Sequence, residues 1–140
     1  MSVWLKNLIG ISFIFHGLNY GLMVLIPFPD SDGTGMEWAR GKYWSGAGSK
    51  ILSSFNVSEY RLRVIAIIIC LILLAGFVIA GSNILTPGAL NKFSFTLTLI
   101  SAIIAVIFMI SYWHIYTISG FLVNIAILVV IPILYIKLNR

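Results

Sequence analysis

The sequence predicts an all-α fold: an integral membrane four-transmembrane-helix bundle with a long, aromatic-rich loop between helices 1 and 2. Three observations carry that reading. Hydrophobic residues make up 60% of the 140 residues and charged residues only 9%, where a soluble domain carries about 25% charged. Mean hydropathy is +1.05. Four apolar runs, at about residues 7–26, 62–81, 93–112 and 118–136, are each long enough to cross about 30 Å of hydrocarbon at ~1.5 Å per residue. Together they form a single membrane domain over residues 1–140.

The first run follows Lys6 and ends at Pro27 and Pro29, which cannot continue a helical hydrogen-bond ladder. It is longer than a signal-peptide core of about 7–15 residues and has no A-x-A-like cleavage site after it, so it is expected to stay as the first transmembrane helix. The loop at 27–61 follows. Its Trp38, Tyr43, Trp44, Phe55 and Tyr60 suit the headgroup zone, where an apolar ring and a polar edge both find partners. A short interfacial helix is expected near 36–44 or 49–55, with the loop folded over the bundle. Tyr112, Trp113, His114 and Tyr116 belong to the same surface, so Trp38, Trp44 and these four form an interfacial set. Thr86-Pro87-Gly88 marks the turn between the second and third runs. A few residues around Thr117 make the third and fourth a tight antiparallel hairpin, and Pro132 is expected to bend the last helix.

The net charge of +5 is not a nucleic-acid signature, because the basic residues flank apolar runs, where they anchor helices to headgroups. Four spans put both termini on one side of the membrane. Lys6, Lys92, Lys137 and Arg140 lie there; Arg40, Lys42, Lys50, Arg61 and Arg63 lie on the other side with all the acidic residues. The purely basic short segments favour termini in the cytoplasm, with the protein in a prokaryotic cytoplasmic membrane.

One cysteine, Cys70, excludes an internal disulfide, a C-x-x-C redox pair and cysteine-based zinc or iron–sulfur sites. No carboxylate lies within a span, which argues against a dinuclear carboxylate site. His114 lies about 18 Å from the depth of His16, so the two cannot share a metal, and no metal site is expected. Asp30-Ser31-Asp32-Gly33 is similar to the start of a calcium loop but lacks the distal glutamate, and reads as a solvated turn. Asn56-Val57-Ser58 fits the glycosylation pattern, a short motif common by chance.

Helical periodicity divides the first span into two faces. Gly10, Gly17 and Gly21 share a narrow sector, where small side chains let another helix approach closely, within this chain or in another subunit. Ser12, His16, Asn19, Tyr20 and Met23 cluster about 140° away. By depth, His16, Asn19, Cys70, Ser101 and Asn124 fall about 12–21 Å from the terminal side, a polar band contributed by all four helices. It is either interhelical hydrogen bonding or a ligand site, with His16, Asn19, Tyr20, Cys70 and Asn124 as the candidate ligand-binding residues.

The pattern Gly10-x-x-Phe13-x-x-His16-Gly17-x-Asn19, with Gly-Phe-Val-Ile-Ala-Gly at 76–81, resembles the first and second helices of DoxX-like membrane proteins, and the layout matches over nearly the whole chain. Tyr20 stands where that family often has lysine. The resemblance implies a four-helix membrane subunit, some relatives being associated with quinone-linked sulfur oxidation or redox-stress complexes. The expected function is a small membrane subunit of an oxidoreductase or respiratory-type assembly, lining a quinone or lipid pocket near His16 and Asn19, since histidine can hydrogen-bond a quinone and pass a proton. The alternatives are a non-catalytic accessory subunit packing through the Gly17/Gly21 face and a small channel or transporter. Expected partners are membrane lipids, other membrane subunits or further copies of the chain, with no nucleic acid. No intrinsic cofactor and no catalysis by the chain on its own are expected.

Overall fold

The computed structural model describes residues 3–25, 59–86, 92–111 and 118–138. It is all-helical over these residues: α1 is Val3–Leu25, α2 is Glu59–Leu85, α3 is Lys92–Ser111 and α4 is Ile118–Leu138. All four are long and apolar enough to cross a membrane. Helix α1 starts at Val3 rather than at residue 7, and α2 extends beyond 62–81 at both ends. The difference is physical: backbone hydrogen bonds continue into polar flanks, whereas hydropathy marks only the part suited to hydrocarbon. Residues 59–61 therefore belong to α2 and not to the preceding loop. The rest of that loop, its expected short helix and Trp38, Tyr43, Trp44 and Phe55 lie outside the described residues, whereas Tyr60 falls in the first turn of α2. Helix α4 continues through Pro132.

Packing follows chain order, α1 on α2, α2 on α3 and α3 on α4. The helices run up, down, up, down. Lys6 at the start of α1 donates from Nζ to the carbonyl of Thr86, just past the end of α2, at 2.6 Å. A cation there also meets the negative end of the helix dipole. Phe95 near the start of α3 stacks on Tyr135 near the end of α4, ring centroids 4.1 Å apart.

The side chains are sorted in an unusual sense. Ile65, Ile68, Leu71 and Ile72 of α2, Ile100, Ile103 and Ile107 of α3, and Leu122, Val129 and Ile133 of α4 all face outward. The interior holds large side chains such as Phe77, Phe108, Leu73 and Ile84, and between them many small or polar groups, among them Ala66, Cys70, Ala80, Ser94, Thr98, Ser101, Ala102 and Ala105. Small side chains bring backbones close, and dispersion and hydrogen bonds then hold the helices together. An outer surface of this kind is matched to hydrocarbon rather than to water.

The closest helix crossing joins α1 to α2. A Cβ built on Gly81 would come within 2.6 Å of the Gly10 carbonyl oxygen, and one on Gly10 within 3.0 Å of the Gly81 carbonyl oxygen. About two turns further along, a Cβ on Gly17 would meet the Leu74 carbonyl and the Phe77 Cβ, each at 3.0 Å. Backbone oxygens and a Cβ fixed to the backbone stand in these places, and no rotamer change moves them. On the other side of α2, Gly76 admits the Ser101 hydroxyl of α3.

Candidate functional site

Helices α1 and α4 are not chain neighbours, and they face each other across a groove of about 330 Å³. Leu8, Ser12, Phe13 and His16 form the α1 wall, and Val123, Ile127, Ile131 and Leu134 belong to the α4 wall. Leu8 and His16 are separated by about 12 Å along the helix. Near His16, α1 and α4 are joined by hydrogen bonds.

Asn124 is the hub. Its carboxamide nitrogen donates to the Gly120 carbonyl at 2.7 Å and to the Tyr20 hydroxyl at 3.0 Å, with the Met109 sulfur at 3.9 Å. Its carboxamide oxygen lies 3.3 Å from His16 Nε2. The Gly120 carbonyl can only accept, so the atom facing it is the amide nitrogen, and the oxygen is thereby turned to His16. Nε2 must therefore carry the proton and donate. Asn124 and Tyr20 are fully buried, and His16 is half-buried at the groove.

Aromatic packing holds the ring. His16 meets Phe77 of α2 edge-on at 4.8 Å between centroids and Tyr20 at 5.3 Å. Tyr20 and Phe77 are nearly parallel, 5° between planes. Phe13 adds an edge contact to Phe77 at 6.1 Å. A ring wedged between two others has few rotamers left, so the direction of its nitrogens is set by packing as well as by Asn124.

Among the residues singled out from the sequence, the structure brings His16, Tyr20 and Asn124 together. Cys70 is buried in the same hydrophobic core as Tyr20 and Phe77. Ser101 is buried elsewhere, against Gly76. Asn19 does not join the group: it is exposed, beside Phe15, Leu18 and Leu22. At ~100° per residue, Tyr20 lies about 40° from His16 in one sense and Asn19 about 60° in the other. The polar sector is thus divided, Tyr20 turning inward and Asn19 outward. Gly10, Gly17 and Gly21 are buried against α2 of the same chain, so that face is not available to another subunit. Trp38, Trp44, Tyr112, Trp113, His114 and Tyr116 lie outside the described residues.

Phe77, Met109 and Gly120 belong to the site and were not anticipated. Gly120 was within reach of sequence reasoning, because an asparagine can bond the carbonyl four residues back. Nothing local marks Met109 or Phe77, which come from other helices. Among the described residues, no three His, Cys, Asp or Glu side chains gather in a way that could hold a metal ion. The site can therefore anchor a polar head in apolar surroundings through one oriented imidazole. Compared with known proteins, the chain matches no family model, no curated protein and no solved structure.

Proposed function

We propose that this chain is an integral membrane protein, a small subunit of an oxidoreductase-type assembly, and that its α1/α4 groove holds the ring of a quinone-type isoprenoid ligand. One observation carries the reading: an apolar groove that reaches an oriented histidine deep within the apolar length of the bundle. A volume of about 330 Å³ is at the small end of ligand sites, roughly 300–1,000 Å³. It suits a ring and the first part of a tail, with the remainder lying among lipids. The groove walls supply apolar contact, and His16 and Ser12, one helical turn apart, supply the polar contact. The likeness of residues 10–19 and 76–81 to DoxX-like proteins supports the same reading, as does the outward-facing Ile and Leu surface. The chain's own part is to bind and orient the ligand, with its termini in the cytoplasm of a prokaryotic cell; a partner subunit supplies the redox centre.

The test is purification of the whole chain with native lipids, followed by solvent extraction and mass spectrometry. A quinone recovered stoichiometrically with wild type and lost from Ile127→Trp, which fills the groove, is the expected result. Equal recovery from both would remove the reading.

A second reading has its own observation. Asn19 places an exposed carboxamide among apolar side chains, where in hydrocarbon it would gain from a partner helix. An accessory subunit would dock through this face of α1, and not through the glycines. Oxidative cross-linking of Asn19→Cys in membranes tests it: a cross-linked product with another subunit supports it, and a monomer only argues against it.

A further inference from the structure

This inference rests on the groove reading and deepens it. We propose that the groove presents a hydrogen-bond acceptor to its ligand, and therefore takes the reduced, hydroquinone form in preference to the quinone.

The argument runs through three side chains. Gly120's carbonyl fixes which end of the Asn124 carboxamide is nitrogen. The oxygen then faces His16 Nε2 at 3.3 Å, and Nε2 carries the ring proton. No Asp or Glu lies in the spans as counter-ion, and an isolated charge at such a depth is strongly disfavoured in apolar surroundings, so the ring is uncharged. In an uncharged imidazole the second nitrogen is a bare acceptor. His16 Nδ1 has no hydrogen-bond partner among the described residues and is not an enclosed atom, while the ring lines the groove.

A hydroquinone hydroxyl donates to that lone pair. A quinone carbonyl brought to the same place sets lone pair against lone pair. Tyr20 does not alter this, because it is fully buried behind His16, is not part of the groove wall, and accepts from Asn124. Ser12 can serve either form, since a hydroxyl both donates and accepts. The discrimination therefore belongs to His16, and one net hydrogen bond makes it about five- to tenfold.

The experiment measures binding of three short-tailed molecules to the purified full chain in nanodiscs without oxygen: a quinone, its hydroquinone, and the hydroquinone dimethyl ether, which keeps the reduced ring and has no donor. Expected is hydroquinone binding about five- to tenfold tighter than either of the others, and equal binding of all three to His16→Phe, which keeps a ring against Phe77. Quinone binding at least as tight as hydroquinone would overturn the proposal, as would a dimethyl ether equal to the hydroquinone. The wild-type comparison needs no variant, so it decides the matter even if His16→Phe does not fold. If none of the three binds wild type, it is the groove reading itself that fails.

Discussion

Asn124 has two amide protons and one carbonyl oxygen, and the interior uses all three, on Gly120, Tyr20 and His16. Removing one partner therefore differs from removing the hub. Tyr20→Phe deletes one interhelical bond and is expected to cost about 0.6 kcal/mol, the average for such bonds in membrane proteins, and no more than about 1.7 kcal/mol. Asn124→Leu leaves the His16 proton without its acceptor as well, and is expected to cost about 1–3 kcal/mol. Reversible unfolding in mixed detergent micelles measures both, and an Asn124→Leu protein as stable as Tyr20→Phe would contradict the hub. Cys70 offers a second check at this scale. It is fully buried in the core, so a maleimide should leave it unlabelled in the folded protein and label it completely on denaturation. Rapid labelling under native conditions would show that the core is wrongly described.

The glycines of α1 and α2 differ in what a methyl group would meet, and the difference ranks their substitutions. At Gly81 it meets the Gly10 backbone oxygen at 2.6 Å, and only separation of the helices can relieve that. At Gly21 it meets the tip of Leu74 at 3.1 Å, which can turn aside. Gly81→Ala should therefore cost about 1–3 kcal/mol, the usual range for overpacking, and Gly21→Ala clearly less. Unfolding midpoints under identical detergent conditions give the order directly. At Gly120 the obstruction is the flexible end of Met109, at 2.6 Å from the added carbon. Displacing Met109 would disturb the Asn124 environment, and so the element that positions the hub is itself kept open by a missing side chain.

At the scale of the molecule, helix directions place the start of α1 and the end of α4 at the same end of the bundle. Lys6 reaches the end of α2, and Phe95 at the start of α3 meets Tyr135 at the end of α4. Tags fused at either terminus should then show the same protease accessibility in sealed vesicles, whichever way the protein is inserted. Opposite accessibility would require an odd number of crossings and would overturn the up-down arrangement. The groove belongs to this scale too. It exists because packing follows chain order and leaves α1 and α4 joined by side chains rather than by close backbone approach.

Segment length and hydropathy are local quantities, so the sequence alone determined the four long helices found among the described residues, roughly where each lies, and that their surfaces suit hydrocarbon. The alternation of helix direction follows from the same four runs and the short turns between α2, α3 and α4. Periodicity also separated the glycine face of α1 from its polar face. What the tertiary structure decided is which side chain of each face turns inward. Asn19 and Tyr20 are adjacent in sequence and both polar, yet one is exposed and the other buried. Apolarity does not distinguish inside from outside when the surroundings are themselves apolar. The choice falls to shape and to hydrogen-bond partners on other helices: Gly81 opposite Gly10, Phe77 under His16, and Asn124 between His16 and Tyr20. None of these pairings is written in any one stretch of the chain.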